Sequence, residues 1–239
     1  MVYYKINNSR NRLIGWLSSL SMVGWIILVN VLIFIVEIIW VTLSCTETGC
    51  IAFDFFALKA ENIMQGEYLW TIVTHMFSHV MFFHLFVNMF ALFSIGGLTE
   101  RIIGRKRFVW FYIISGIFAG LLSVLLAGFF GHGFFERVFG SSDVFMIGAS
   151  GAIFAVAGLL AVLLPRLKFG IMFVPFFSLP AYIMIPGVLF VIWGLSIIFS
   201  WPVGNTAHFG GLLAGVIYGS YLKLKYRRKV VMLQRMFRQ

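Results

Sequence analysis

Charge is scarce in this chain: Asp, Glu, Lys and Arg make up 11% of its 239 residues, and only 8 of them are acidic. The two aspartates, Asp54 and Asp143, fall outside the apolar runs, which excludes a pair of carboxylates sharing a proton at membrane depth. His75 and His79 stand four apart, the helical spacing of a zinc pair, but Met76 occupies the position where a zinc protease needs its glutamate base. No metal site is expected. Repeated halves, which a transporter would show, cannot be aligned, and neither a low-complexity linker nor a second domain is apparent. The only cysteines, Cys45 and Cys50, are compatible with a disulfide and with two reduced thiols.

What the chain has in abundance is apolar surface. Hydrophobic residues make up 61% of it, more than one soluble core can hide, so lipid must solvate it. Helices carry backbone amides through hydrocarbon without unpaired groups. Six apolar runs suit them, at about 16–42, 80–98, 108–130, 150–164, 182–199 and 207–224. The expected fold is an all-α polytopic membrane protein, a single domain over residues 1–239. Pro175, Pro180 and Pro186 interrupt residues 169–186, which predicts an extended lead-in to the fifth helix. Residues 44–79 hold Phe53, Phe55, Phe56, Leu58, Tyr68, Leu69 and Trp70, which suits a loop lying in the membrane interface. The polar start leads into an apolar run too long for a signal-peptide core, so the first helix is expected to stay attached.

Charge sets the orientation, because positive residues are retained on the cytoplasmic side of short loops. With six spans both termini share one side. That side carries Lys5, Arg10 and Arg12, then Arg101, Arg105, Lys106 and Arg107, then Arg166 and Lys168, and finally the basic tail 223–239 with Lys223, Lys225, Arg227, Arg228, Lys229, Arg235 and Arg238. The other side keeps only Lys59 and Arg137 beside Glu47, Asp54, Glu61, Glu67, Glu136 and Asp143. Both termini are therefore expected in the cytoplasm. The net charge of +10 is accounted for by membrane sorting and anionic headgroups, with no nucleic-acid partner.

In so apolar a chain, a polar side chain at membrane depth points to function. Three places stand out: residues 74–88, entering the second helix with His75, His79, His84 and Asn88; Gly148-Ala149-Ser150-Gly151, opening the fourth; and Asn205-Thr206-Ala207-His208, opening the sixth. All three lie towards the non-cytoplasmic end of their helices and can converge on one cavity. His84 and Asn88 are four apart and project from one face. Gly211, Gly215 and Gly219 make a side-chain-free ridge on the sixth helix, with His208 on the same ridge. Ser150, Gly151, Ala155, Ala157, Gly158 and Ala161 supply a matching small surface on the fourth. Packing these faces can bring the Ser150 hydroxyl within reach of the His208 ring, a base that would turn the serine into a nucleophile.

The bland alternatives are that Gly-x-Ser-Gly only packs helices and that a histidine at a helix end is structural. Three such places on one side of the bilayer outweigh them. His132, in the loop with Glu136, is read as having no special role, and Asn30 and Glu37 as pairing internally or lying near the interface.

At these residues the sequence resembles the rhomboid intramembrane proteases, over about Trp70 to Gly215. His84-x-x-x-Asn88, Gly148-x-Ser150-Gly151 and Ala207-His208-x-x-Gly211 reproduce the family pattern in order. The resemblance implies a six-helix bundle in which Ser150 is the nucleophile and His208 the general base, without a carboxylate. His84, Asn88 and the Ser150 amide would form the oxyanion hole. It also implies structural roles for His75 and His79, for Trp70, and for Glu100 with Arg101 in a cytoplasmic turn, with Gly148, Gly151, Phe154, Gly211 and Gly215 supporting the site. Two departures are visible: Thr71 follows Trp70 where many relatives carry arginine, and Phe154 stands where a tyrosine often stacks on the histidine. Phe154 keeps the aromatic face and loses only a hydroxyl.

The function implied is a serine endopeptidase without metal or organic cofactor, acting on transmembrane or membrane-anchored proteins. It would sit in a prokaryotic cell membrane with its site open to the extracytoplasmic side. The rivals are a catalytically silent rhomboid-like chaperone that binds transmembrane segments, expected to lack the serine or the histidine, and a small transporter.

Overall fold

The computed structural model describes residues 19–44, 51–171, 174–201 and 203–237. Cys45 and Cys50 lie outside the described residues, as do Trp16 and the basic residues Lys5, Arg10, Arg12 and Arg238. The long helices are α1 (Met22–Ser44), α2 (Phe82–Ile103), α3 (Arg105–Phe130), α4 (Ser150–Leu163), α5 (Ala181–Phe199) and α6 (Asn205–Lys225), followed by α7 (Arg227–Met236).

Each long helix overlaps an expected run: α1 is described from Met22 where the run starts at about 16, α2 ends at Ile103 where its run ends at about 98, and the other ends agree within three residues. α1, α2, α3 and α5 are long and apolar enough to cross a membrane. α4 has 14 residues, about 21 Å of helix at 1.5 Å per residue, short of a hydrocarbon core of about 30 Å. α6 has 21 residues but carries Asn205, His208, Lys223 and Lys225.

On α1 the buried positions Val23, Ile26, Asn30, Phe34 and Glu37 recur at helical spacing, while Leu32, Ile35, Val36, Ile39 and Leu43 are exposed. One stripe therefore meets the bundle and the rest is left for lipid. Its start is capped from α2: both Glu100 carboxylate oxygens accept backbone N–H groups, from Met22 and Val23, each at 3.0 Å. These are donors that a helix N-terminus leaves unpaired, and a carboxylate suits the positive end of the helix dipole. Arg105 lies 3.7 Å from the same carboxylate and donates to the Leu20 carbonyl at 2.6 Å. Arg101 is exposed beside this turn. α2 carries a π-turn over Leu92–Gly96, where a Cβ on Gly96 would meet Val23 of α1 at 2.9 Å.

α4 and α6 make the most extensive helix–helix contact among the described residues, with α3 against both. The ridge on α6 explains it. A Cβ on Gly211 would collide with the Gly151 carbonyl oxygen, and one on Gly215 with that of Ala155. On α4, a Cβ on Gly158 would meet the Leu212 carbonyl at 2.7 Å. Only glycine lets these backbones approach so closely.

The loop between α1 and α2 folds into short helices, Ile51–Phe56, Ala60–Met64 and Thr71–Thr74, and a strand, β1 (Leu58–Lys59), pairing antiparallel with β2 (Phe145–Met146) just ahead of α4. Trp70 donates from Nε1 to the Phe55 carbonyl at 2.9 Å and packs against Phe55 and Tyr68. Trp40 of α1 stacks on Phe55, with 5.2 Å between centroids.

The extended lead-in expected at 169–186 is found as far as Pro180 in the described residues and is corrected over 181–186, which are helical. β3 (Lys168–Ile171) and β4 (Val174–Pro180) form an antiparallel hairpin, and α5 starts at Ala181 with Pro186 inside it. Pro186 lies in the second turn, where its missing N–H frees one carbonyl near the helix start rather than ending the helix.

Candidate active site

Ser150 is the first residue of α4, where backbone N–H groups have no intrahelical acceptor. Its hydroxyl oxygen lies 2.7 Å from His208 Nε2, across 58 residues of sequence. The His208 backbone N–H bonds to the Gly204 carbonyl at 3.0 Å, which holds this residue in the first turn of α6. The histidine is buried and the serine half-buried. Phe154, one turn along α4 from Ser150, stacks on the His208 ring, with 4.7 Å between centroids and 27° between planes. α3 backs the pair: Ser123 and Thr206 share a hydrogen bond at 2.5 Å, and a Cβ on Gly151 would touch Ala119 at 3.0 Å.

His84 and Asn88 of α2 reach the same place from the other side. Gly148 has φ +116°, a conformation that side chains disfavour, and a Cβ there would meet the His84 ring at 2.7 Å and the Asn88 amide nitrogen at 3.5 Å. The turn before Ser150 thus rests directly on the two α2 side chains. Its Gly148 N–H donates to the His75 carbonyl at 2.9 Å.

His75 and His79 are both buried, and each has its own partner. His75 Nδ1 bonds to the Thr71 carbonyl at 2.8 Å, while the ring fills the hollow left by Gly120 of α3, whose Cβ would lie 2.7 Å from it. His79 Nε2 accepts from the Asn88 side-chain amide at 3.1 Å and packs edge-to-face on His84 at 5.1 Å. Burial pushes His75 down to about 4. It does the same to His79, also to about 4, with the neighbouring His84 adding to the effect. Both are neutral at physiological pH.

The sequence-based expectations thus meet in one place: Ser150, His208, Phe154, Gly148, His84, Asn88, His75 and His79. Trp70 lies in the adjoining loop, and Glu100 with Arg101 marks the far end of α2. His132 is exposed, in line with having no special role. Asn30 does pair internally, Nδ2 donating to the Ile26 carbonyl at 2.8 Å. Glu37 also pairs internally, with a partner on another element: it accepts the backbone N–H of His79 at 3.0 Å. Sequence reasoning missed that contact, although a lone carboxylate in an apolar span was the signal for it.

The Rhomboid domain family matches residues 66–225 of the chain, which takes in every residue of this cluster except Glu37. The chain belongs to the rhomboid family. RHOMBOID-like protein 5 of Arabidopsis thaliana is 34% identical over 71% of the chain and 48% of its own length. The mitochondrial presenilin-associated rhomboid-like protein of Mus musculus is 28% identical over 91% of the chain and 54% of its own length. Rhomboid protease GluP of Bacillus subtilis (strain 168) is 30% identical over 71% of the chain and 29% of its own length. The chain spans about half the length of the first two relatives and less of the third. With this family and four helices of spanning length, this rhomboid is a multi-pass membrane protein.

Proposed function

We propose that this rhomboid is an intramembrane serine endopeptidase that cuts transmembrane or membrane-anchored proteins. What carries the reading is the 2.7 Å contact between Ser150 Oγ and His208 Nε2, two polar side chains brought together from two mostly apolar helices. His208 takes the hydroxyl proton as Ser150 attacks a peptide carbonyl of an unwound substrate segment, then returns it to the leaving amine. Water hydrolyses the acyl enzyme with His208 again as base. His84, Asn88 and the Ser150 N–H would stabilise the oxyanion, and Phe154 would hold the imidazole in plane. Gly148, Gly151, Gly211 and Gly215 permit the close packing, while His75, His79, Trp70, Glu100 and Arg101 support the loop and helix ends. The chemistry calls on no metal or organic cofactor.

The topology that goes with this is six spans with both termini in the cytoplasm. α4 would be a short span inside the bundle and α6 one made less apolar by its catalytic end. The site would open on the extracytoplasmic side. The relatives' names include mitochondrial, plant and bacterial proteins, so they do not favour a prokaryotic cell membrane over that of an organelle.

The second reading is a rhomboid-like chaperone that binds transmembrane segments without cutting them. Incubating the purified chain and its Ser150→Ala variant with a panel of single-span proteins, alongside labelling by a fluorophosphonate, separates the two. Cleavage and labelling by the wild type, both lost in the variant, are expected; binding without cleavage or labelling would establish the chaperone.

A further inference from the structure

Glu37 is a carboxylate on a helix that otherwise turns much of its surface to lipid, and it is only 6% exposed. Such a group at membrane depth is costly and is kept where it serves a partner. Its partner is the His79 backbone N–H, 42 residues away, which donates to Oε2 at 3.0 Å. His79 is itself fully buried. Its Nε2 holds the Asn88 side-chain amide at 3.1 Å, and its ring packs edge-to-face on His84. Glu37 is thus two contacts away from both side chains proposed for the oxyanion hole, and in direct contact with neither.

The segment around His79 also packs on α1 and is buried there, with Met76, Ser78 and His79 each at most 2% exposed. A pocket of about 110 Å³ lined by Glu37, Thr42, Phe56, Ser78, His79 and Val80 borders the same segment. The Ser78 hydroxyl makes long bonds, 3.4 Å to the Phe56 carbonyl and 3.3 Å to that of Thr74, and it also faces the Glu37 carboxylate. Among the described residues, Glu37 is the α1 side chain through which this segment makes its polar ties to that helix, the 3.0 Å bond from the His79 N–H being the shorter-range backbone one.

We propose that Glu37 is a positioning residue: by fixing the His79 peptide it sets where His79 places Asn88 and His84 against the turn at Gly148. The inference rests on the serine-protease reading of the site. A displaced donor still binds substrate but meets the developing oxyanion badly, so the loss belongs in turnover.

The test is kinetic. Glu37→Ala and Glu37→Leu should lower kcat by roughly 10- to 100-fold, the size of effect a 1 Å misplacement has, with KM little changed. Glu37→Gln, which keeps an acceptor oxygen, should restore most of it. If Glu37 acts through Asn88, its removal in an Asn88→Ala background should cost much less than it does in the wild type.

Wild-type kcat in the Ala and Leu variants, or an undiminished loss in the Asn88→Ala background, would overturn the positioning role and leave the Ser150 chemistry standing. Failure of both apolar variants to fold would make Glu37 a folding residue and equally overturn it. A wild-type protein that neither cleaves nor takes up a fluorophosphonate would remove the serine-protease reading and this inference with it.

Discussion

The Phe154 ring stacks on His208 with 4.7 Å between centroids, and one turn earlier on the same helix Ser150 reaches the edge of that imidazole at 2.7 Å. One face of α4 therefore supplies both the proposed nucleophile and an aromatic surface against the imidazole of the proposed base. An aromatic stack of this kind is worth about 0.5–1.5 kcal/mol. Phe154→Ala should therefore lower kcat by about two- to tenfold at nearly constant KM, and Phe154→Tyr should retain activity. Steady-state cleavage of a single-span substrate checks this; an Ala variant as fast as the wild type would show that the stack orients nothing.

The side chains proposed as oxyanion donors, His84 and Asn88, should also make themselves felt in turnover. Removing one such donor typically costs about 10² to 10³ in kcat. Asn88→Ala is expected to fall in this range with KM little changed, and His84→Ala at least as far, because its ring also packs on His79. A raised KM with unchanged kcat for Asn88→Ala would assign Asn88 to substrate or helix positioning instead.

Gly211 tests the packing that brings Ser150 and His208 together. Any Cβ there runs into the Gly151 carbonyl, and backbone offers no rotamer by which to yield. Gly211→Val should lose more than the usual overpacking cost of about 1–3 kcal/mol, seen as a lower thermal midpoint in detergent together with lost activity. An unchanged midpoint would mean that the two helices can separate without consequence.

Topology can be read by single-cysteine labelling in a Cys45→Ser/Cys50→Ser background. Positions 105 and 227 should be reached from the cytoplasmic side and position 61 from the other. Labelling of 105 and 61 from one side would rule out the six-span arrangement.

His75 makes stability depend on pH. Its folded value lies near 4, against an ordinary value of 6.5. Between these the unfolded chain binds the proton and the folded one does not. Its contribution is therefore complete above about pH 6.5 and is lost as pH falls towards 4, on the order of 3 kcal/mol in all. Thermal midpoints measured from pH 7.5 down to 4.5 should fall further for the wild type than for His75→Asn. Parallel falls would place the titration elsewhere.

Much of this site was legible in the sequence because the chain is so apolar. Polar side chains at membrane depth are few, and those at 75, 79, 84, 88, 150 and 208 drew attention by chemistry alone. The glycine ridge at 211, 215 and 219 was legible for a similar reason, since glycine every fourth residue leaves a visible groove. The hairpin at 168–180 was not: three prolines mark a break in hydropathy without saying whether the chain pairs with itself.

By itself the sequence determined that the chain is solvated by lipid, roughly where its helices run, and which side chains can do chemistry. Only the tertiary structure decided that β1 joins β2 ahead of Ser150, that Glu100 caps α1, and that Glu37 reaches the peptide of His79. The physical reason is that lipid is as apolar as a helix surface. A spanning helix is apolar on every face, so its periodicity does not tell which stripe turns inward, and partners 42 or 77 residues apart are fixed only when the helices pack.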